Sequence, residues 1–582
     1  MILRDSYKAS GALFDKVRSP GETIEWVRGR LAETGLDILR ETVRIDRNRL
    51  GIPVYISKYH PAAVRLTGTY KQMGKGATPE QAEASAIMEL VERFSLFDFV
   101  RNGRRRFSIM EPDSPDFMPV ADLLKSLHPQ VADSGMEENL LQFLAILPME
   151  WMDAVRPVDG RRCQVPFSWF WPVNEYNGSA AGNSLEEAAV QAVSEVIERH
   201  VCSRITYDSI VTPEIDQESI DNPVARDLVA RFLARGVNLL LKDFSLDTGV
   251  PTVGAVAWDP STYPARSEIV YTAGTAPEPE RALIRALTEV AQLAGDFDTD
   301  GKYVESGLPK FKDFRDAAYV MDSSSRISLK DMPDCGSDNF RAELEKMCAN
   351  VEHAGLTVYV SDVTHPVLAV PVVYAVVAGN HFRDRTVNLD LPFHAARIAS
   401  RCHDRDAALE ALGFLERHYP ERYDVAFFRA RIYEENGDYD SAAALYMSAL
   451  DKEPDEGEVA SIYCHAGICF RELGRLDDAV SALDRARELN PSLKEIHNQL
   501  GYCYYRRGEY LKAIEAFEAA IALDPGSAID YANIASNLRK LGMHSDAMRF
   551  YDLALELDPS LDWARKQRQE VMELAKGEYV SN

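Results

Sequence analysis

One succession of apolar and polar patterns occurs three times in the first two thirds of the chain. In each copy an amphipathic, helix-like stretch ends at a glycine and is followed by an apolar, strand-like run and then by a second strand beginning beside a proline. Short patterns of this kind also recur by chance, but together they predict mixed sheets covered by helices, in an α/β or α+β fold. The helix-like stretches are residues 21–34, 226–235 and 340–354, which end before Gly35, Gly236 and Gly355.

From about residue 404 the pattern is that of helices alone, and prolines recur at a nearly constant interval. The intervals are 34, 37, 34 and 34 residues, between Pro420, Pro454, Pro491, Pro525 and Pro559. This is the period of tetratricopeptide repeats (TPR). Small or apolar residues occupy the positions where paired helices come close, as at Gly501, Ala513, Phe517 and Ala520. The sequence therefore predicts an all-α solenoid that presents a surface to a partner.

The change of pattern sets the predicted domain boundaries. A chain of 582 residues is too long for one hydrophobic core. We expect an α/β domain over residues 1–395, a linker over residues 396–403 and a tail over residues 577–582. Between linker and tail, residues 404–576 would hold a half-repeat, four repeats and a capping helix.

The net charge of the chain excludes some kinds of binding partner. The chain has a formal net charge of −26, which repels phosphate backbones and anionic lipids, so we expect neither nucleic acid nor membrane as a partner. The longest apolar run, residues 367–379, contains Pro371 and is shorter than a membrane span. Because no apolar run resembling a signal peptide follows Met1, we expect a cytoplasmic protein whose eight cysteines are reduced thiols.

The strongest chemical signal is a ladder of polar residues at helical spacing. Steps of four, four, four and three residues separate Asn183, Glu187, Gln191, Glu195 and Glu198. On a helix these five side chains share one face. Carboxylates so close together repel each other, and placing them beside a packed core is costly unless a cation lies among them. We therefore predict a magnesium site on this face.

Two further ladders strengthen this interpretation. The E-x-x-E-R that closes the first ladder also stands at residues 89–93, and residues 285–292 read R-x-x-x-E-x-x-Q. A single copy is typical of a solvated helix face. Several copies within otherwise apolar helices favour a magnesium-bound nucleotide, because Glu oxygens bind divalent metal and Arg side chains bind phosphates. The residues concerned are Glu89, Glu92, Arg93, Glu195, Glu198, Arg199, Arg285 and Glu289.

A glycine-rich segment, residues 68–76, superficially matches a P-loop. It has five residues between the glycines instead of four, and Gly76 stands where a Ser or Thr would bind magnesium, so we reject a P-loop. Its Gly-Lys-Gly turn leads toward the helix that contains Ser85, which favours Lys75 as a point charge near phosphate. No G-x-G-x-x-G occurs, and a nicotinamide or flavin fold has no support.

At these residues the chain resembles the YcaO family, ATP-dependent enzymes that activate backbone amides. The resemblance covers about the first two thirds of the chain and implies ATP and Mg²⁺ as cofactors. It rests on G-K-G-A-T at residues 74–78, S-x-x-x-E-x-x-E-R from Ser85, N-G-S-A-A-G-N at residues 177–183 and R-x-x-x-E from Arg285. One departure is Ala180, where the family often has a serine; Ser179 stands beside it.

The resemblance also implies roles for individual residues. Catalytic roles fall to Glu89, Glu195, Glu198 and Glu289, and magnesium ligation falls to these four and Glu92. Contacts to nucleotide or water are implied for Ser85, Asn183, Glu187, Gln191 and, as the family's early lysine, Lys8; Lys75 is expected near phosphate from its place in the Gly-Lys-Gly turn. The resemblance also implies that three guanidinium groups bind phosphates or orient the Glu side chains: those of Arg93, Arg199 and Arg285.

For activity, the resemblance implies that ATP phosphorylates a backbone amide oxygen and that a nucleophile then attacks the activated carbon. A Cys, Ser or Thr side chain as nucleophile gives an azoline, the cyclodehydratase reaction, and an external sulfur donor gives a thioamide. Azoline-forming members characteristically end in a proline-rich tail, whereas this chain ends in Y-V-S-N. We therefore favour thioamidation, or an accessory role in methylthiolation of a ribosomal protein.

The expected partners are a peptide or protein substrate and, on the repeats, a sulfur donor or a protein that recruits substrate. The sequence identifies none of them and leaves open whether the chain forms a homodimer. The rival hypothesis is a nonenzymatic TPR adaptor whose first domain only senses ATP. The clustered glutamates argue against it, because a scaffold has no physical need for them.

Overall fold

The structure, a computed structural model of the chain, forms two compact units, unit 1 (residues 1–390) and unit 2 (residues 391–582). It describes residues 1–9, 15–46, 49–103, 105–111, 114–127, 135–294, 297, 311, 313–382, 386 and 389–580.

The described residues of unit 1 form three sheets. The strands are β1 (Leu39–Arg44), β2 (Val54–Tyr59), β3 (Lys71–Lys75), β4 (Arg106–Ser108), β5 (Met149–Val155), β6 (Arg162–Pro166), β7 (Ser179–Ala181), β8 (Glu214–Ile215), β9 (Asn238–Asp243), β10 (Thr252–Trp258), β11 (Val270–Thr275), β12 (Arg326–Ile327), β13 (Thr357–Asp362) and β14 (Val372–Ala378). The orders are β1-β2-β3, β11-β10-β9-β8-β12 and β4-β5-β13-β14-β7, with β6 beside β5. The pair β8 and β12 is parallel and the neighbouring pairs are antiparallel.

Helices cover these sheets. They are α1 (Pro20–Thr34), α2 (Pro61–Thr67), α3 (Pro79–Asn102), α4 (Val120–Leu124), α5 (Met136–Ile146), α6 (Phe167–Asn174), α7 (Leu185–Tyr207), α8 (Pro223–Ala234), α9 (Pro279–Ala294), α10 (Ala318–Met321) and α11 (Phe340–His353). Apolar residues of α8 and α9 pack on the five-stranded sheet, for example Phe232 and Leu287 on Leu241, all fully buried. Mixed sheets with covering helices confirm the predicted fold class.

The three predicted helix–strand–strand copies are present as α1-β1-β2, α8-β9-β10 and α11-β13-β14, each with an antiparallel strand pair. Gly35 follows α1 with a φ of 64°, and Gly236 and Gly355 have φ values of 72° and 87° at the equivalent places. A left-handed backbone at the end of a helix costs little conformational free energy only when the residue is glycine.

Each polar ladder lies on a helix that directly follows the edge strand of a sheet: α3 follows β3, α7 follows β7 and α9 follows β11. The helices approach their strands closely. A Cβ atom at Gly74 of β3 would lie 2.0 Å from the backbone nitrogen of Ala86, and one at Gly274 of β11 would lie 2.4 Å from that of Ala286. Glycine is therefore required at these two positions for the helix to pack.

One prediction for the first ladder needs correction. Helix α7 begins at Leu185, and the Ser184 side chain caps it by accepting a hydrogen bond from the backbone nitrogen of Glu187. Asn183 therefore precedes the helix instead of sharing its face. The helix starts directly after Ser184 because the Ser184 hydroxyl satisfies a backbone N–H that has no partner within the helix.

Unit 2 consists of helices in its described part. They are α12 (Leu391–Ala399), α13 (Arg405–His418), α14 (Tyr423–Glu435), α15 (Tyr439–Leu450), α16 (Glu456–Glu472), α17 (Leu476–Leu489), α18 (Lys494–Arg506), α19 (Tyr510–Leu523), α20 (Ala528–Lys540), α21 (His544–Leu557) and α22 (Asp562–Val580). At the predicted crossings Ala513, Phe517 and Ala520 are buried, and a Cβ at Gly501 would lie 2.7 Å from Cζ of Phe517. Small residues thus let each helix pair pack closely.

The sequence boundary at residue 395 falls inside α12, which belongs to unit 2. Of the helices in the described ranges, none is long and apolar enough to cross a membrane. All eight cysteines lie in the described ranges and none of them is in a disulfide; all except Cys202 and Cys402 are buried.

Candidate active site

The polar faces of α3, α7 and α9 come together in unit 1. Lys75, at the end of β3, forms an ion pair with Glu289 of α9. A guanidinium N–H of Arg285, also on α9, donates to the side-chain oxygen of Gln191 on α7. We call the five glutamates of these faces the carboxylate centre: Glu89, Glu92, Glu195, Glu198 and Glu289.

Two glutamates of α3 lie beside the arginine that follows them. Nitrogens of the Arg93 guanidinium lie 3.4 Å from Oε1 of Glu92 and 3.9 Å from Oε1 of Glu89. The Glu92 side chain is 12% exposed and the Glu89 side chain is 34% exposed. One cation therefore lies between two carboxylates on adjacent turns of the helix.

The carboxylates of α7 are fixed by backbone amides. The N–H of Gly178 donates to Oε2 of Glu195 at 3.2 Å, and the N–H of Thr275 donates to Oε2 of Glu198 at 3.1 Å. Arg199 lies 3.8 Å from Oε1 of Glu195. Since these donors come from separate loops and strands, the tertiary fold orients both carboxylates.

Burial and the nearby carboxylates disfavour the charged form of Glu92 and of Glu89. Burial raises the pKa of Glu92 to about 8; Glu195 and Glu89 add to the rise, while Arg93 opposes it. The pKa of Glu89 is raised as well, first by burial and further by Glu195. Burial and the neighbouring carboxylates thus make the ionised form of these two side chains costly. Hard carboxylate oxygens in such a setting fit Mg²⁺, which would stabilise their ionised form when it binds.

Cationic side chains stand beside the same carboxylates and fit an anionic phosphate. Burial lowers the pKa of Lys75 to about 8; Glu198 opposes this change and Arg285 adds to it. Nε of Arg285 is buried and has no hydrogen-bond partner among the described residues. An unsatisfied guanidinium N–H beside the carboxylate centre is a donor suited to a phosphate oxygen.

Ser85 and the first residues of the first ladder lie on the N-terminal side of the carboxylate centre in α3 and α7. Ser85 is half-buried on α3, one turn before Glu89. Nδ2 of Asn183 donates to Oε1 of Glu187 at 3.1 Å, and Oε2 of Glu187 accepts from the backbone nitrogen of Val17 at 2.9 Å. Glu187 therefore binds the N-terminal segment and Asn183 binds Glu187, and the roles of both toward nucleotide or water stay predictions.

Lys8 forms a separate cluster. Its Nζ lies 2.5 Å from Asp15, 2.5 Å from Glu343 and 3.3 Å from Glu278. Glu343 is fully buried. These three carboxylates surround Lys8 and none belongs to the carboxylate centre, so the contact of Lys8 with a nucleotide stays a prediction.

Sequence reasoning missed several groups that contact the centre. The Ser179 hydroxyl donates to Oε1 of Glu92 at 2.6 Å, and the Tyr176 ring lies 4.4 Å from the Arg93 guanidinium. Ser179 could have been found only through its place beside Ala180. The amides of Gly178 and Thr275 carry no side-chain signal, so no sequence pattern marks them.

Comparison with known proteins identifies the family to which the chain belongs. The family model described as "YcaO cyclodehydratase, ATP-ad Mg2+-binding" matches residues 73–381, more than half of the chain, and tetratricopeptide models match residues 395–457, 466–528 and 531–561. The chain therefore belongs to the YcaO family and carries tetratricopeptide repeats after the YcaO domain. The family description agrees with ATP and Mg²⁺ as the predicted cofactors.

Two relatives illustrate the range of similarity. An uncharacterized protein from Methanothermobacter thermautotrophicus is 31% identical over 391 residues, which are 62% of this chain and 93% of the relative. The Escherichia coli ribosomal protein S12 methylthiotransferase accessory factor YcaO is 28% identical over 253 residues, which are 39% of this chain and 41% of that protein.

Solved structures support the fold. YcaO from Methanopyrus kandleri, bound with AMPPCP and Mg²⁺, is 24% identical with a TM-score of 0.50, over 66% of this chain and 98% of that chain. A heterocyclase in complex with substrate and cofactor is 21% identical with a TM-score of 0.53, over 66% of this chain and 54% of that chain.

Proposed function

We propose that this chain uses Mg²⁺-bound ATP to phosphorylate a backbone amide oxygen of a peptide or protein. The observation that carries the proposal is the convergence of five glutamates from three helices with Lys75 and Arg285 beside them. An amide oxygen is a poor leaving group, and phosphorylation converts it into a good one. Membership of the YcaO family supports the same chemistry.

The carboxylate centre is suited to hold the metal, and the cations beside it are suited to bind phosphate. When bound, Mg²⁺ neutralises charge that develops on the transferred phosphoryl group. Arg285, with its unsatisfied Nε, and Lys75 would orient the phosphates. Arg93 and Arg199 lie near Glu92 and Glu195 and would offset the repulsion between these carboxylates.

Three outcomes are open for the activated amide. Attack by a neighbouring side chain gives an azoline, attack by an external sulfur donor gives a thioamide, and an accessory role would support methylthiolation by another enzyme. The name of the E. coli relative favours the accessory role, although this chain spans only 41% of that relative. The match to the heterocyclase structure is below 25% identity and supports the fold alone.

The repeats of unit 2 would recruit the substrate or a sulfur donor. Their signature positions are filled by buried packing residues such as Ala513 and Ala520, which have no chemistry of their own. Helical repeats present their outward side chains as one continuous surface, which suits protein recognition.

The test compares small proteins and ribosomal proteins from cells with and without this chain by mass spectrometry. Enzymatic function predicts one mass change that depends on the chain: loss of water, exchange of oxygen for sulfur, or gain of a methylthio group. Each change identifies one of the three outcomes. No difference in any mass, together with ATP binding but no ATP consumption, would support the nonenzymatic adaptor instead.

A further inference from the structure

The turn that joins α6 to β7, residues 175–178, passes beside Glu92 and Arg93. Its backbone is unusual, because Glu175 has a φ of 48° although it is not a glycine, and Gly178 has a φ of 87°. A Cβ at Gly178 would lie 2.6 Å from the carbonyl oxygen of Ala375. Left-handed backbone at a non-glycine residue is costly and persists where the surrounding structure requires it.

The turn and the residue after it contact both members of the Glu92–Arg93 pair. The hydroxyl of Ser179 lies 2.6 Å from Oε1 of Glu92. One guanidinium nitrogen of Arg93 donates to the carbonyl oxygen of Tyr176 at 3.1 Å and to Oγ of Ser179 at 3.3 Å. The Tyr176 ring covers the same guanidinium at 4.4 Å. Cation and carboxylate are thereby held from one side by a single short segment.

A hydroxyl has only one proton to donate, and Ser179 has two acceptors in reach. Oγ lies 2.6 Å from Glu92 and 2.8 Å from the carbonyl oxygen of Tyr176. The contact with Glu92 is the shorter of the two, and a hydrogen bond to a carboxylate is stronger than one to a neutral carbonyl, so the hydroxyl pairs with Glu92. The Tyr176 carbonyl keeps the hydrogen bond from Arg93. Every group in this arrangement therefore has a partner.

We infer that Ser179 is a positioning residue for the metal site, acting through Glu92. The inference rests on the proposed Mg²⁺–ATP function and adds a residue to it. Ser179 is 2% exposed and its hydroxyl is already engaged by Glu92 and Arg93, so it orients a metal ligand and does not replace the hydroxyl that Ala180 lacks. Partners that fix a metal-binding side chain typically change metal affinity when they are removed.

The test measures binding of ATP to the full chain by calorimetry while the Mg²⁺ concentration is varied. In Ser179→Ala, Glu92 loses its hydroxyl partner, and we expect the Mg²⁺ concentration at half-maximal ATP binding to rise about tenfold. ATP affinity at saturating Mg²⁺ should stay within about twofold of the unchanged protein, because phosphate contacts remain. Ser179→Thr keeps the hydroxyl on a β-branched residue suited to a strand and should restore the Mg²⁺ dependence.

Ser57→Ala is the matched control. Ser57 is also a buried strand serine, but its hydroxyl donates its proton to the backbone oxygen of Ala86 at 2.7 Å and not to a carboxylate. If Ser179→Ala behaves like Ser57→Ala, or if it weakens ATP binding equally at all Mg²⁺ concentrations, Ser179 has only a structural role and the inference is wrong. If the unchanged protein itself shows no Mg²⁺-dependent ATP binding, the proposed function fails, and the inference fails with it.

Discussion

Lys75 on β3 and Glu289 on α9 form an ion pair that connects the first sheet of the chain to the third polar helix. Helix α7 joins the same site, because Gln191 accepts a hydrogen bond from Arg285 of α9. Three polar faces that are far apart in the sequence thus form one cluster. The predictions below follow from that arrangement.

Glu195→Gln should abolish Mg²⁺-dependent ATP binding while the fold stays intact. Glu195 lies within electrostatic reach of both Glu89 and Glu92, and its carboxylate accepts from the N–H of Gly178. An amide has one oxygen to offer and no negative charge, so it is a poor magnesium ligand. Calorimetry with ATP and Mg²⁺ measures the loss, and circular dichroism checks the fold.

Glu345→Gln makes the same chemical change at a distance from the centre, on α11, where Glu345 pairs with Arg341. It should leave ATP binding unchanged. Unchanged Mg²⁺-dependent affinity in Glu195→Gln would refute the assignment of that residue to the metal.

Gly74→Ala should destabilise unit 1 by about 3 kcal/mol, because the added Cβ would lie 2.0 Å from the backbone of Ala86 and force α3 away from β3. Chemical denaturation measures the change. The matched control is Gly29→Ala within α1, where nothing lies within 4 Å of the added atom. There alanine should stabilise by about 1 kcal/mol through helix propensity. Equal effects of the two substitutions would contradict the close packing of α3 on β3.

His200 should make unit 1 sensitive to acid. Burial lowers its pKa to about 3, and His381 and Arg204 add to the change. Nδ1 of His200 accepts a hydrogen bond from the backbone nitrogen of His381 at 3.0 Å, which protonation would break. Because the folded pKa is below the ordinary value of 6.5, the stabilisation is complete above pH 6.5 and is lost as the pH falls toward 3.

Urea unfolding at several pH values, followed by tryptophan fluorescence, measures this dependence. Because the unfolded chain binds one more proton than the folded chain in that range, the folding equilibrium constant falls roughly tenfold for each pH unit. In His200→Asn the amide oxygen can accept the same hydrogen bond and does not titrate. The variant should therefore show a shallower acid dependence, and an identical pH profile in both proteins would show that His200 is not the responsible group.

A chain that ends at residue 390, where unit 1 ends, should retain ATP binding and lose capture of partner proteins. The proposed nucleotide contacts lie within unit 1, and the crossings of the repeats hold only packing residues. Calorimetry and affinity capture from lysate measure the two properties. Loss of nucleotide binding in a folded truncated chain would mean that the repeats complete the site.

How much of this site the sequence predicts depends on the range of each interaction. Glu195 and Glu198 stand out because helical periodicity is local, and the repeats stand out because each copy packs only on its neighbours. The fold class follows from the same local patterns. The convergence of α3, α7 and α9 does not, since nothing in the sequence sets the distance between Lys75 and Glu289.

Three further differences between the sequence-based predictions and the structure also have physical causes. Asn183 continues the spacing of the ladder, but Ser184 caps the helix after it. Lys8 has three carboxylate partners from distant parts of the chain, which no motif marks. Ser179 contacts Glu92 because β7 runs beside α3, and its contact is therefore tertiary.

The central claim is that the glutamates of α3 and α7 form one magnesium–ATP site. Glu195 of α7 lies close enough to Glu92 of α3 to contribute to the raised pKa of Glu92. If Glu92 and Glu198 hold the same metal cluster, removing either carboxylate breaks the cluster, and removing both adds little.

A double-mutant cycle of Glu92→Gln and Glu198→Gln, read as the Mg²⁺ concentration at half-maximal ATP binding, measures this directly. The account predicts a rise of about a hundredfold for each single variant and a rise only slightly larger for the double variant. Two small effects whose product equals the effect of the double variant would contradict it, because the carboxylates would then belong to independent helix faces.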